Sequence, residues 1–373
     1  MRDTVSNPRL TASDRPGVAQ PVPVRDIPPQ PWRFVSIVAA ALFFVLLAGW
    51  ERYWRHFGVV PSYRNSDGQW AEQRRRIDAG EGGKTVLIGA SRMLFDIQLP
   101  EWERATGERP IQLAMEGTSP VPVLEDLAAD PNFTGRLVID VTPHVLFAGG
   151  MYRGDMLTYV KSQTPAQHVG DWLSMTFLEP YVAFYDPDFA LGTIVQRQPW
   201  PLRPGLVERV VPRKLVQHEL DRNTYLWDKV VDDPEYHELV RNIWLRNFSR
   251  PVGQILPGMD TPEGKRKVVD QQIARMVAAI DRLRARGVRV LFVRPPSDGP
   301  IRAFEDRELP RAQTWDLVLE RTGTPGIHYE DYPELMGYEL PEWSHLSAPE
   351  AVRFTRALVP IVEREFAKLE TKR

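Results

Sequence analysis

Three residues of this chain have the types and spacing for nucleophilic chemistry: Ser91, Glu342 and His345. Ser91 follows the run Thr85-Val86-Leu87-Ile88 and the pair Gly89-Ala90. A short β-branched and aliphatic run ending at glycine reads as a buried strand entering a tight turn, with a hydroxyl at the strand's C-terminal edge. In an open α/β sheet that edge is where ligands bind. A serine in this position also serves simply as a helix cap, so a nucleophile needs a histidine and a carboxylate that reach it. Glu342 and His345 offer that pair within Leu340-Pro341-Glu342-Trp343-Ser344-His345-Leu346-Ser347. In a turn before a helix, this spacing lets the carboxylate sit at the imidazole Nδ1, fix its tautomer and stabilise the imidazolium. The other ring nitrogen would then face the sheet edge and Ser91.

The elements that must position these residues follow a strand–helix alternation. Thr85–Ile88 is the first strand, and a helical turn is expected at Glu101–Ala105. Pro110–Ala114 is the second strand, ending at Glu116-Gly117-Thr118-Ser119. A helix from Pro120 to Ala129 has proline in its first turn. Leu137–Val141 is the third strand and ends at Thr142-Pro143-His144. This βαβαβ order predicts a parallel sheet covered by helices. After a break the pattern resumes. Val268, Val269, Ile273, Met276, Val277, Ile280 and Leu283 trace one face of a helix over Gly264–Arg286, which Gly287 ends. Val288–Val293 is the fourth strand, Leu309–Arg321 a helix, Gly326–Glu330 the fifth strand, and Ala348–Leu369 the closing helix. His328 on the fifth strand reads as structural.

Between residues 148 and 263 the alternation stops. Prolines and aromatics such as Trp172, Phe177, Tyr181, Trp227, Trp244 and Phe248 crowd this stretch. It reads as a largely helical insertion over the sheet's C-terminal edge. Its aromatics suit a small core of their own; sugar rings or an acyl chain are the other groups such a cap accepts.

The N-terminal part is of a different kind. Residues 1–31 are proline-rich and charged with no apolar period, which predicts a disordered tail. Phe34 to Trp50 then runs without a charge, with Trp32 before it and Tyr53 and Trp54 after it. Aromatics at both ends of such a run suit the two headgroup layers. The reading is one transmembrane anchor over 32–54, followed by a connector over 55–83 with a helix at Ala71–Ala79. Arg15, Arg25 and Arg33 balance Arg52, Arg55 and Arg64, so charge leaves the orientation open. The short tail is easier to leave inside, which puts the C-terminal region on the extracytoplasmic side of the inner (cytoplasmic) membrane.

Composition narrows the chemistry. Among 373 residues there is no cysteine, which excludes disulfides, thiolate metal sites and a cysteine nucleophile. The formal net charge of -2 gives no basic surface for nucleic acid. Gly80 to Gly83 lacks the lysine–serine continuation of a phosphate-binding loop. No metal or cofactor is expected.

The layout resembles the SGNH/GDSL hydrolase superfamily over 84–147 and 264–373. The Gly-Asp-Ser block corresponds to Gly89-Ala90-Ser91, the second-block glycine to Gly117, and the Asp-x-x-His block to Glu342-Trp343-Ser344-His345. The third-block asparagine is replaced by Thr142-Pro143-His144. The anchor and the Gly-Ala-Ser-Arg block look like the membrane-anchored branch, which handles O-acyl groups of envelope polymers, as in alginate O-acetylation and teichoic-acid D-alanylation, and often lacks that asparagine. The resemblance implies a three-layer α/β sandwich around a five-stranded parallel sheet. It implies Ser91 as nucleophile, His345 as base and Glu342 as orienter. The backbone N–H groups of Ser91 and Gly117 would form the oxyanion hole, with His144 or Thr142 as a third donor. The implied activity is a serine-dependent O-acyltransferase or esterase acting on acyl groups, acetyl foremost, of an envelope or secreted polysaccharide. A multi-span membrane-bound O-acyltransferase is the implied partner. A catalytically inactive scaffold or polysaccharide-binding subunit with the same fold is the alternative, and a lipid esterase at the bilayer surface a third. Arg92, beside Ser91, suits either an anionic substrate or an ion pair.

Overall fold

The computed structural model describes residues 30–148, 156–198, 200–201, 203 and 213–371. The tail expected over residues 1–31 lies, through residue 29, outside the described residues. The chain divides into two compact units, Met1–Trp50 and Glu51–Arg373.

One continuous helix, Trp32–His56, carries the uncharged run. Alanine and leucine dominate its centre, and both favour helix. Over its most apolar 18-residue window the mean hydropathy is 2.1, and none of that window is buried. Among the described residues it is the one helix long and apolar enough to cross a membrane.

The second unit is α/β. Its strands are β1 (Thr85–Ile88), β2 (Ile111–Gln112), β3 (Arg136–Asp140), β4 (Val216–His218), β5 (Thr224–Leu226), β6 (Arg289–Arg294) and β7 (Gly326–His328). Five of them form one parallel sheet in the order β2-β1-β3-β6-β7. The chain moves outward from β1 to β2, then returns to place β3 on the other side of β1. The order therefore reverses between β1 and β3, and the crevice beyond their C-terminal ends is where such sheets bind ligands.

Successive residues of each strand point to opposite faces, and both faces are buried. Val86, Ile88, Leu137, Ile139 and Phe292 pack with the helices Val121–Ala129 and Pro262–Ala285. Leu87, Val138, Leu291, Val293 and Ile327 pack with the helices Leu99–Thr106 and Ala348–Thr371. Burial on both sides is why these strands read as unbroken apolar runs.

Three features differ from the sequence reading. The connector helix begins earlier, at Asp67, where the Ser66 side chain accepts from the Gln69 N–H, and it ends at Arg76. A helix at Gly299–Glu308, capped by Asp298, was not read from the sequence. The insertion is mostly helical where described, but β4 and β5 form an antiparallel hairpin inside it. Arg222 in that hairpin turn has φ of 68° and is fully buried. Its guanidinium donates to the carbonyls of Gln112 and Ala114, so the hairpin closes the C-terminal end of β2.

Candidate active site

Ser91 is the first residue of the short helix Ser91–Phe95, directly beyond β1. As the first helical residue it has a backbone N–H without an intrahelical acceptor. The turn leading to it admits only glycine at position 89. A Cβ there would lie 2.4 Å from Asp140 Cβ and 2.8 Å from Met93 Cβ. Asp140 ends β3 and accepts the Ala90 N–H at 3.0 Å, tying the serine turn to the neighbouring strand. Ser91 is partly exposed, whereas Arg92 to Phe95 are buried.

Glu342 and His345 are brought together by a strained turn. Trp343, between them, has φ of 69°, a left-handed conformation rare outside glycine. This curl lets Glu342 Oε1 accept both the His345 backbone N–H at 2.6 Å and His345 Nδ1 at 2.8 Å. Glu342 Oε2 accepts from Trp244 Nε1. Glu342 is fully buried and His345 nearly so. With Nδ1–H donated to the carboxylate, Nε2 carries a lone pair, and this atom is buried without a hydrogen-bond partner.

Two contacts set the dyad against the serine helix. The imidazole packs on the Phe95 ring with centroids 4.3 Å apart, and the Leu346 N–H donates to Asp96 Oδ1 at 2.9 Å. Phe95 lies four residues after Ser91 on the same helical face, and helical side chains lean toward the N-terminus. His345 therefore packs against the helix that begins at Ser91. No hydrogen bond joins Ser91 Oγ to His345 Nε2. Burial pushes Asp96 well above the usual carboxylate range, with the Leu346 N–H and Arg92 opposing that shift.

A second histidine–glutamate pair lies beyond β3. His144 Nδ1 is 2.8 Å from Glu305 Oε1. The same oxygen accepts from Arg92 Nη2 at 3.1 Å, and Glu305 Oε2 accepts from Arg294 and from Ser297 Oγ. Burial alone would raise the Glu305 pKa, but Arg294, Arg92 and His144 outweigh it and hold the group well below its ordinary value. Burial lowers His144, so its imidazole is neutral near pH 7. Arg92 is thus an ion-pairing residue in the interior, not a surface group for an anionic substrate.

These contacts occupy the two side chains expected as a third oxyanion donor. A neutral His144 that gives Nδ1–H to Glu305 presents an unprotonated Nε2, which accepts and does not donate. Thr142 Oγ1 lies 3.1 and 2.9 Å from the two oxygens of Asp140, and its single proton is spent there. Neither side chain is arranged to donate to an oxyanion. Gly117 lies in an exposed turn after β2, with φ of 58°. Its neighbour Glu116 bonds Asn65, and Asn65 in turn bonds Arg222. His328 packs against Trp315 and Tyr329, with its pKa lowered to about 3 chiefly by burial, consistent with its structural reading.

Trp244, Phe95, Asp140 and Glu305 were not identified as site residues by sequence. The helix Pro234–Phe248 ties the site together along one face. Arg241 Nε donates to the Pro341 carbonyl at 2.8 Å and its guanidinium covers the Trp343 ring. Trp244 reaches Glu342, and Phe248 meets the His144 ring edge-on at 5.1 Å. The i, i+3, i+7 spacing of these residues was the only sequence signal for this role.

No protein-family model matches the chain, and no curated protein matches it in sequence.

Among the described residues, no group of three or more histidine, aspartate or glutamate side chains has the arrangement to hold a metal ion.

Proposed function

We propose that the chain is a membrane-anchored, serine-dependent O-acyltransferase or esterase of the SGNH kind, built as a three-layer α/β sandwich. The observation that carries this reading is the buried Glu342–His345 dyad, with its unpartnered Nε2 and its imidazole packed on Phe95 of the helix that begins at Ser91. Ser91 Oγ attacks the ester carbonyl and passes its proton to His345 Nε2. Glu342 stabilises the imidazolium that forms. The backbone N–H groups of Ser91 and Gly117 stabilise the oxyanion. The tetrahedral intermediate collapses, and the leaving alcohol takes the proton from His345. An acceptor hydroxyl then attacks the acyl-serine, losing its proton to His345, and His345 returns a proton to Ser91 Oγ as the acyl–serine bond breaks. A sugar hydroxyl makes the reaction a transfer; water makes it a hydrolysis.

Acetyl groups of an envelope or secreted polysaccharide are the substrate this reading favours, with a multi-span membrane protein supplying the acyl donor. The second unit then works on the extracytoplasmic side of the inner membrane. The test is the O-acetyl content of the cell's polysaccharide when Ser91→Ala replaces the parent chain. A loss of O-acetyl groups is expected; unchanged content contradicts the reading. One observation favours a non-catalytic scaffold instead, namely that Ser91 and His345 are not hydrogen-bonded. Such contacts commonly close only with substrate bound.

A further inference from the structure

The helix Pro165–Phe177 carries an exposed apolar stripe. Two of its polar side chains, Asp171 and Ser174, are turned to protein partners. Asp171 Oδ2 accepts from Tyr159 Oη at 2.6 Å and from Gln163 Nε2 at 2.7 Å, and Ser174 Oγ donates to the buried Glu179 at 2.7 Å. Met175 is buried, but four of its larger apolar side chains are exposed. Val169, Trp172, Leu173 and Phe177 follow the i, i+3, i+4, i+8 spacing of one stripe and are 51%, 53%, 43% and 57% exposed. Leu178 and Tyr181, at 41% and 64% exposed, extend the stripe past the helix end.

The chain fixes where this stripe ends. Glu51 and Arg55 are the first and fifth residues after the uncharged run Phe34–Trp50, within one continuous helix. Glu51 accepts the N–H groups of Ala183 and Phe184 at 3.0 and 3.2 Å, and Arg55 Nη2 donates to the Tyr181 carbonyl at 2.7 Å. These bonds fasten Tyr181–Phe184 to the first five residues that follow the uncharged run in the sequence, a stretch of helix about 8 Å long at about 1.5 Å of rise per residue. One headgroup layer is about that thick, and tryptophan and tyrosine are the residues that favour it.

We propose that the Val169–Tyr181 stripe is a membrane-contact surface, lying in the headgroup and upper acyl region of the same bilayer that holds the Trp32–Trp50 span. The occupant is lipid. The stripe gives the second unit a membrane attachment of its own, in addition to the span. The inference rests on the span reading and is independent of the proposed reaction.

The absence of cysteine makes the test direct. Single variants Trp172→Cys, Phe177→Cys and Tyr181→Cys of the full chain are labelled with a nitroxide in phosphatidylethanolamine–phosphatidylglycerol nanodiscs. Glu320→Cys and Glu334→Cys, at exposed positions, serve as aqueous controls, and Phe44→Cys reports the span itself. The ratio of oxygen to nickel-chelate accessibility is measured by power saturation. A ratio several-fold above the controls is expected at 172, 177 and 181. Ratios equal to the controls, with a high ratio at 44, overturn the contact surface and leave the span intact. Spin–spin broadening at 172 and 177 without oxygen enrichment overturns it in favour of a second copy. A low ratio at 44 overturns the span reading and the contact surface with it.

Discussion

Two histidine–glutamate pairs flank the switch point of the sheet, and they are matched in geometry and opposed in electrostatics. In each, a buried carboxylate lies 2.8 Å from an imidazole Nδ1. Glu342 is bonded otherwise by neutral donors, the His345 N–H and Trp244. Glu305 lies between the guanidinium groups of Arg92 and Arg294. The negative charge of Glu342 is therefore available to an imidazolium as it forms, whereas that of Glu305 is already compensated. A carboxylate–histidine contact alone does not identify a general base. What surrounds the carboxylate decides whether the imidazole can take up a proton. By this criterion the proposed base is His345, while His144 is part of a neutralised structural network.

Separating the two histidines gives the largest effect. Ser91→Ala and His345→Ala should each lower turnover of an activated aryl acetate by about 10⁴-fold, the usual cost of losing a triad member. His144→Ala should lower it by no more than about tenfold, an order-of-magnitude expectation for a residue outside the reaction. Equal losses at 345 and 144 would break the comparison.

The two glutamates should differ in kind. Glu342→Gln should cost about 10³- to 10⁴-fold in turnover, because the orienting charge is lost. Glu305→Gln should cost about 3–5 kcal/mol of stability, because buried Arg92 and Arg294 lose the carboxylate they bond. Thermal melting and turnover, measured on both variants, check this. A smaller effect of about tenfold on turnover is expected for Trp244→Phe, which removes one donor to Glu342. Trp244→Phe should leave His144-dependent stability unchanged.

The pH dependence of stability adds the smallest effect. Folded His328 has a pKa of about 3, below the ordinary histidine value of 6.5. Below pH 6.5 the unfolded chain takes up a proton that the folded chain refuses, so this residue contributes a loss of stability as pH falls toward 3. The slope is about 1.4 kcal/mol per pH unit for one fully shifted histidine. His328→Gln should make the decline in melting temperature from pH 7 to pH 5 shallower; an unchanged decline would contradict this.

Much of the sheet was legible because parallel strands buried on both faces read as apolar runs. The dyad was legible because Glu342 and His345 are neighbours in one turn. The helix Gly299–Glu308 was not, since Pro300, Arg302, Asp306 and Arg307 surround its few buried apolar residues, Ile301 and Phe304. With it, Glu305 was hidden, and so was the contact that occupies His144 Nδ1. Trp244 and Glu342 are 98 residues apart, and His144 and Glu305 are 161 apart. Contacts of that range depend on the fold, and no local spacing encodes them. The hairpin at β4 and β5 was missed because each strand has only three residues and its turn uses Arg222 where glycine would be expected.

The most direct test of the central claim is covalent labelling of the full chain by a fluorophosphonate, mapped by mass spectrometry. The account predicts phosphonylation at Ser91 that is abolished in His345→Asn and retained in His144→Asn. Absence of label at Ser91, or label that survives His345→Asn and disappears in His144→Asn, would contradict it.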